Sequence, residues 1–292
     1  MTIEPTIIEL LPTAHPTPGR DHRPPACGVS AVLDGEVLAR GVPIGKLMGS
    51  VSYVEMIFFQ VQGRYPSRDE RALMETYLVS LCEHGVTSPS THGVRVAASV
   101  GAPFAACAVN FITAAMGKYH FGALEMAMEQ LREIAAYGPG LEAYVDEKLA
   151  KGERLWGFGH RFHKSADAAS LDPRSLAELQ EGTDPRVRKL LELADELKWP
   201  GKHVATVRRL GRLLYQRKGV PINVDGVGAG LLLDMGFDPR IGMLFVVLGR
   251  LANMARLYLE EQEEKPNRFV GLASRNDPTF DRTVDRELDA KA

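Results

Sequence analysis

Apolar residues recur at helical spacing over most of the chain from residue 52 onward. In the run SYVEMIFFQVQG at 52–63, one face is apolar and Gly63 ends the pattern, as a glycine at a helix end often does. The segment 67–84 opens with Ser67, a capping residue type, and acidic residues follow in its first turn. Similar periodicity predicts helices over residues 94–116, 122–137, 141–151, 185–197, 202–218 and 241–264. The pattern predicts a mainly α-helical protein.

Strand signals are confined to two short stretches. Residues 29–42 alternate in polarity around Asp34-Gly35, a pair typical of a β-hairpin turn, and a second short strand is predicted near Ile222. Residues 1–28 contain closely spaced prolines, a pattern that predicts an extended arm. Residues 165–183 are polar and weakly periodic, which is typical of an active-site lid or a disordered loop.

Composition narrows the class of protein. The chain has 292 residues, of which 45% are hydrophobic and 25% charged, as in soluble globular proteins with a substantial core. A net charge of −2 argues against nucleic-acid binding. The three cysteines have no paired spacing, so neither a disulfide framework nor a zinc ribbon is expected. With no signal-peptide pattern and no uninterrupted apolar stretch long enough to span a bilayer, we expect a cytoplasmic protein without a membrane partner.

The run WGFGHR at residues 156–161 is the first candidate for chemistry. His160 follows two glycines, which permit a tight turn or a close approach to a ligand. Its imidazole titrates near neutral pH and can give or take a proton. A helix-start turn capped by the histidine is the structural alternative. His160 and His163 lie three residues apart, but no carboxylate or cysteine has matching spacing, so no metal is expected.

Two further acid–base candidates lie elsewhere in the chain. His120 precedes a predicted helix, whose positive dipole end favours a neutral imidazole able to donate a hydrogen bond. Asp225 lies where a short apolar segment runs into a glycine-rich stretch, and its open carboxylate suits a general base toward a carbon acid. The structural alternative for His120, which is favoured when this residue is taken alone, is a helix cap or a half-buried polar residue. For Asp225 a cap on a helix over 227–235 is an equal alternative.

Arginines supply candidate anion-binding groups. Arg250 lies within an apolar helical run, so its charge requires either an internal carboxylate or a bound di- or tricarboxylate. Arg174 and Arg186 each end an Asp-Pro-Arg triplet.

Taken together, these motifs resemble the citrate synthase superfamily in order and approximate spacing. The resemblance rests on GFGHR, Asn-Val-Asp at 223–225, His-Gly at 84–85, a histidine before a Gly-Ala-Leu-Glu helix, and residues 40–44, 63–66 and 184–188. It covers roughly residues 29–271. The glycine after Asp225 and the Val-Leu-Gly-Arg at 247–250 are most similar to citryl-CoA lyases and the matching module of ATP-citrate lyase, whereas His120 is the synthase-type residue and Phe121 replaces a synthase glycine.

The resemblance implies a two-domain architecture. A large helical domain is expected over residues 29–121 and 229–292, and a small helical domain carrying the coenzyme A loop over residues 122–228. The active site is expected in the cleft between these domains. A homodimer is the family habit and the commonest oligomer.

The resemblance also implies roles for individual residues. Asp225 would handle the proton of the acetyl-CoA methyl group, His120 would hydrogen-bond the thioester oxygen, and His160 would act on the oxaloacetate carbonyl or the citryl hydroxyl. Substrate carboxylates would be bound by His84, Arg186, Arg250 and Arg268, the last of these across the dimer. Coenzyme A would be bound by Lys151, Arg154, Gly157, Phe158, Gly159 and Arg161. The choice of Arg186 over Arg174 makes residues 165–181 an insertion.

Three functions follow from this resemblance. The leading one is a CoA-dependent lyase or acyltransferase that cleaves citryl-CoA to acetyl-CoA and oxaloacetate, or runs the reverse condensation. The second is a citrate or 2-methylcitrate synthase, which also hydrolyses the thioester. The third is a relative that binds coenzyme A or organic acids without turnover. A metal-dependent hydrolase is disfavoured.

Overall fold

The structure, a computed structural model, describes residues 28–33, 35–85, 88–159 and 184–264. The chain divides into two compact units, residues 1–67 and 68–292. This division does not test the predicted large and small domains, whose boundaries at 121–122 and 228–229 stay predictions. Nearly all of the predicted arm at 1–28 lies outside the described residues.

The first unit contains the predicted hairpin and a single longer helix. Strands β1 (Ser30–Leu33), β2 (Glu36–Ala39) and β3 (Val42–Pro43) form an antiparallel sheet in that order, with Leu33 opposite Glu36. After the short helix α1 (Ile44–Leu47), helix α2 (Tyr53–Gln62) begins with a capping box. The Ser52 hydroxyl accepts from the Glu55 amide, and the Glu55 carboxylate accepts from the Ser52 amide. Both the hairpin and this helix are confirmed.

The second unit is built of helices in the described part of the chain. They are α3 (Arg68–Leu81), α4 (Pro89–Ser99), α5 (Phe104–Ala115), α6 (Gly122–Ala136), α7 (Leu141–Ala150), α8 (Pro185–Glu196), α9 (Lys202–Lys218), α10 (Val224–Asp234) and α11 (Gly242–Glu264), with a 3-10 turn at Pro239–Ile241. The mainly α-helical fold class is therefore confirmed.

The single helix predicted over residues 94–116 is wrong, because the structure has two helices there. Gly101 has a φ of +79°, and Pro103 follows it, so the chain leaves α4 and re-enters α5 through a turn. The small residues of this segment allow α4 and α5 to pack closely against each other. A Cβ on Gly93 would lie 2.7 Å from the Asn110 carbonyl oxygen, which leaves no room for a side chain.

Helix α11 is the most apolar long helix in the described part of the chain. The segment Pro239–Glu263 is long and apolar enough to cross a membrane by length and composition alone, although it contains Arg240 and Arg250, and 39% of its apolar window is buried. In this structure the helix packs against α3, α4, α5 and α6. Near its end a buried ion pair joins Arg95 Nε to Glu261 Oε2 at 2.9 Å. These contacts account for its apolar composition within the fold and fix the helix that carries Arg250.

Candidate active site

One cavity in the second unit brings together eight of the predicted site residues, of which five are the predicted acid–base and carboxylate-binding groups. It has a volume of about 400 Å³, and its lining includes His84, His120, Arg186, Asp225 and Arg250. They come from the loop after α3, the turn before α6, the first turns of α8 and α10, and the middle of α11. The cavity therefore collects histidine, carboxylate and guanidinium groups that are far apart in the sequence.

The loop that leads to His160 is tied to the segment that leads to Asp225. The Gly159 amide donates to the Pro221 carbonyl at 2.7 Å, and the Asn223 amide donates to the Gly157 carbonyl at 3.0 Å. Between these bonds Phe158 pairs with Ile222, the single bridge that corresponds to the predicted strand near that residue. The two motifs therefore form one local structure.

Glycines are required where these segments meet. Gly157 has a φ of +85°, and a Cβ on it would lie 2.6 Å from the Gly226 Cα. A Cβ on Gly226 would lie 2.3 Å from the Gly157 carbonyl oxygen. The glycine after Asp225 therefore lets the loop reach the start of α10.

Gln130 fixes the same loop to α6. The Trp156 amide donates to Gln130 Oε1 at 2.8 Å, and Gln130 Nε2 donates to the Trp156 carbonyl at 3.1 Å. The Gln130 side chain is buried, so these bonds are shielded from water. Sequence reasoning missed this residue, whose only signal is an amide side chain on the buried face of a predicted helix.

Asn223, and not Asp225, caps α10. Asn223 Oδ1 accepts from the amides of Asp225 and Gly226, at 3.0 and 3.2 Å. Its Nδ2 donates to the Gly159 carbonyl at 2.8 Å, so one side chain links both motifs. The capping alternative for Asp225 is therefore wrong, and the Asp225 carboxylate is left to face the cavity.

Burial is the main influence on the Asp225 carboxyl. It raises the pKa of Asp225 to about 6, assisted by the negative charge of Asp184 and opposed by the guanidinium groups of Arg186, Arg250 and Arg154. A carboxyl group that titrates near neutral pH can both accept and return a proton.

His120 is held by a chain of buried hydroxyl groups. Its Nε2 lies 3.1 Å from Ser90 Oγ, which lies 3.1 Å from Ser88 Oγ. Ser88 in turn caps α4. Helix α6 has no side-chain cap at its start, so the capping alternative for His120 is wrong. The rings of His84 and His120 stack with centroids 6.0 Å apart, which places two imidazoles on the same wall.

Asp184 holds Arg186 in a fixed orientation. The Asp184 carboxylate caps α8 by accepting from the Arg186 amide at 2.9 Å, and it also accepts from Arg186 Nε and Nη2. The same arrangement occurs in a second Asp-Pro-Arg triplet, where Asp238 accepts from the amide and Nε of Arg240. Arg240 is 82% exposed. The triplet is therefore a local module, and only its place in the fold puts Arg186 beside the cavity.

Arg250 lacks hydrogen-bond partners for two of its nitrogens. The residue is 3% exposed, and Nε and Nη1 are buried without a partner among the described residues. Burial lowers the pKa of its guanidinium to about 10, against the opposing effect of Glu83. A buried guanidinium with two nitrogens left without partners among the described residues is suited to bind an anionic ligand that enters the cavity.

Some of the residues predicted to bind coenzyme A line a cavity, and others do not. Arg154, Gly157 and Gly159 line the main cavity, and Arg154 also lines a second cavity of about 260 Å³ with Phe158 and Lys218. The Arg154 guanidinium stacks over the rings of Tyr119 and Trp156, 5.6 and 4.9 Å from their centroids. Lys151 lines neither cavity, and its Nζ pairs with Glu147 at 2.5 Å.

Several predicted residues lie outside the described part of the chain. They are His160, Arg161, Arg268, the alternative arginine Arg174 and the insertion at 165–181. Their roles stay predictions. Among the described residues, no group of three metal-ligating side chains is found.

The bond from Asn223 to Gly159 can be tested separately from the helix cap. Asn223→Ala should lower the free energy of unfolding by about 0.5–2 kcal/mol, because the cap is lost. Asn223→Ser keeps a capping oxygen but is too short to reach the Gly159 carbonyl. We expect its thermal unfolding temperature to stay near wild type while turnover of a CoA thioester falls about tenfold. Equal activity of wild type and Asn223→Ser would contradict this role.

Comparisons with known proteins show which folds and sequences this chain resembles. The structure of citryl-CoA lyase from Hydrogenobacter thermophilus matches with a TM-score of 0.72 and 28% sequence identity, over 88% of this chain and 98% of that one. The structure of ATP citrate lyase from Methanothrix soehngenii, in complex with citrate and coenzyme A, matches with a TM-score of 0.70 over 89% of this chain and 41% of that one. Its 17% identity shows a shared fold only.

Sequence similarity leads to the same family. Citrate synthase from Thermoplasma acidophilum is 28% identical over 220 residues, which is 74% of this chain and 54% of that enzyme. The chain thus spans about half the length of the citrate synthases it matches. Residues 39–270 match the family described as citrate synthase, C-terminal domain. Since that match covers most of the sequence, the chain belongs to the citrate synthase family.

Proposed function

We propose that this protein cleaves citryl-CoA to acetyl-CoA and oxaloacetate, or forms citryl-CoA in the reverse direction. The observation that carries the proposal is the meeting of Asp225, His120 and Arg250 in one cavity. These groups match the needs of the reaction, namely proton transfer at carbon, stabilisation of an enolate oxygen and binding of a carboxylate. The likeness to a citryl-CoA lyase over 98% of that enzyme's chain supports the choice within the family.

In the cleavage direction, the citryl hydroxyl loses its proton, the adjacent carbon–carbon bond breaks, and its electron pair moves into the thioester as an enolate. His160 is the proposed acceptor of the hydroxyl proton. His120 hydrogen-bonds the enolate oxygen, and Asp225, in its protonated form, gives a proton to the enolate carbon. The products are oxaloacetate and acetyl-CoA. Proton transfer of this kind contributes about 10²–10⁴-fold to the rate.

Carboxylates of the substrate would bind to the arginines of the cavity. Arg250 offers two nitrogens without partners among the described residues, and Arg186 is oriented by Asp184. His84 stands on the same wall as His120. This set of groups fits a small acid with several carboxylates.

Coenzyme A would extend from the main cavity past Arg154 into the second cavity. Arg154 lines both cavities, and Lys218 adds a second cation beside the apolar side chains of the smaller one. Backbone at Gly157, Phe158 and Gly159 would pass along the ligand. Lys151 and Arg161 stay proposed as contacts to its phosphates.

A synthase is the second candidate, because the sequence relatives with the highest coverage here are citrate synthases and His120 is retained. The deciding assay supplies citryl-CoA, or acetyl-CoA with oxaloacetate, and follows acetyl-CoA and free CoA separately. Acetyl-CoA formed from citryl-CoA without free CoA supports the lyase. Rapid release of free CoA from acetyl-CoA and oxaloacetate supports the synthase. Bound CoA without turnover would overturn both and leave a binding protein.

We also propose that the protein forms a homodimer through α4 and α5. Apolar side chains are exposed on these helices at Val96, Phe104 and Val109, and in the turn between them at Val100. Exposed apolar side chains of this kind suit a self-complementary contact with a second copy. Light scattering should give twice the mass of the 32.0 kDa chain. Val109→Asp should shift the mass to that of one chain, and an unchanged dimer would place the contact elsewhere.

A further inference from the structure

Tyr77 is a buried polar residue that the proposed chemistry does not use. It lies on α3 and is 1% exposed. Its hydroxyl has no hydrogen-bond partner among the described residues. Phenylalanine would fill the same space without an unpaired donor, and an unpaired buried hydroxyl destabilises a fold. Packing therefore does not explain the oxygen atom.

The position of the hydroxyl points to Asp225. A Cβ on Gly228 would lie 2.2 Å from Tyr77 Oη, so the absence of a side chain at Gly228 makes room for the phenol. Gly228 is three residues after Asp225 on α10, and residues at this spacing share a helix face. The hydroxyl thus approaches α10 on the face of Asp225, one turn away.

Burial, more than the nearby charges, keeps the phenol of Tyr77 protonated. Burial raises the pKa of Tyr77 well above its ordinary value, the negative charge of Asp225 raises it further, and Arg186 opposes the shift. A protonated phenol beside a carboxylate is a hydrogen-bond donor.

We propose that Tyr77 is a positioning residue for Asp225, whose hydroxyl donates a hydrogen bond to the Asp225 carboxylate when substrate occupies the cavity. One carboxylate oxygen is then held by Tyr77, and the other faces the reacting carbon. This inference rests on the proposed function, in which Asp225 transfers the proton at carbon. The hydroxyl acts through Asp225 and touches no substrate atom.

The same bond stabilises the ionised form of Asp225. The other groups that influence this carboxyl are Arg186 and Asp184 from the start of α8, Arg250 from α11, and Arg154 from the loop before α8. His84 and His120 line the same cavity. All of these stay in place when Tyr77 becomes phenylalanine, so the removal of one donor should raise the pKa of Asp225 in the loaded site.

The test compares Tyr77→Phe with Tyr215→Phe. Tyr215, on α9, also has a buried hydroxyl without a partner among the described residues, but the atoms nearest to a Cβ on Gly228 all belong to Tyr77. We expect both variants to unfold at or above the wild-type temperature. Only Tyr77→Phe should lose about 10–100-fold in kcat with little change in KM, and its acid-limb pKa should rise by about one unit. Wild-type kcat and pH profile in Tyr77→Phe would overturn the proposal.

A second measurement separates this inference from the proposed function. Carbon-13 NMR of the aspartate carboxyls, with Asp225 assigned through Asp225→Asn, gives its pKa without turnover. Spectra are recorded with and without citrate and coenzyme A. Absence of turnover in the wild type would reject the proposed function, while a raised Asp225 pKa in Tyr77→Phe would still support the bond. Equal pKa values in wild type and Tyr77→Phe under both conditions would reject it.

Discussion

Replacing Asp225 with asparagine is expected to reduce turnover about 10²–10⁴-fold in either direction. The substitution preserves the size and shape of the side chain but removes the group that exchanges a proton with carbon. It also leaves the start of α10 intact, because the cap uses the Asn223 side chain and the backbone amide of Asp225. Steady-state rates with citryl-CoA, and with acetyl-CoA plus oxaloacetate, measure the loss.

The pH dependence tests the same assignment. Since the pKa of Asp225 is raised to about 6, its titration should produce a limb near this value in the pH profile of turnover. Cleavage of citryl-CoA consumes no net proton, so kcat/KM for cleavage and for condensation should change with pH together. Loss of the limb near pH 6 in Asp225→Asn would support the assignment, whereas a residual activity in this variant near that of wild type would contradict it.

The same substitution should stabilise the folded protein at neutral pH. The folded-state pKa of about 6 lies above the ordinary value of 3.8, so the native state binds the proton more tightly than the unfolded state. Stability is therefore lost as pH rises between these values. At pH 7 Asp225→Asn should gain up to about 3 kcal/mol, a difference that vanishes below pH 4. Urea unfolding at pH 4 and pH 7 measures both values.

Local sequence signals predicted the helices well because each signal acts over a few residues. Helix α2, for example, begins after Ser52, which caps it, and ends at Gly63, which has a left-handed backbone conformation. Both residue types mark helix ends in proteins generally. The error at α4 and α5 has a physical origin. Small apolar residues continue the helical period through Gly101 and Pro103, so periodicity alone conceals the break that these two residues impose.

The residues that orient the site residues could not be predicted from local sequence patterns. Ser90 meets His120 across 30 positions, Gln130 meets Trp156 across 26, and Asn223 meets Gly159 across 64. Each pair depends on tertiary packing, which spacing along the chain does not encode. Motif types were visible in the sequence, but the hydrogen bonds that orient them were not.

The repeated Asp-Pro-Arg triplet also shows that local sequence does not determine where a side chain lies in the fold. Asp-Pro-Arg occurs at residues 172–174, 184–186 and 238–240. The second and third triplets have the same local geometry, yet only Arg186 lines the cavity, whereas Arg240 faces solvent. The sequence shows which arginines are suited to binding carboxylates, but the packing of α8 decides which of them lies at the cavity.

Arg250→Met should make the protein more stable and much less active. The arginine is 3% exposed, and two of its nitrogens lack partners among the described residues, so its charge is poorly compensated without a ligand. Replacing such a group with an apolar side chain of similar length should raise the free energy of unfolding by about 1–3 kcal/mol, because buried polar atoms without partners are removed. Loss of the carboxylate contact should lower kcat/KM for citryl-CoA about 10²–10³-fold, mainly through KM.

Arg256→Met is the matched control, because Arg256 lies on the same helix but is exposed and pairs with Glu263. It should leave both stability and kcat/KM near wild type. Citrate should raise the unfolding temperature of wild type and Arg256→Met but not that of Arg250→Met, since a ligand stabilises only the state that binds it. A destabilised Arg250→Met that citrate still protects would mean that an internal partner, and not the substrate, satisfies this arginine.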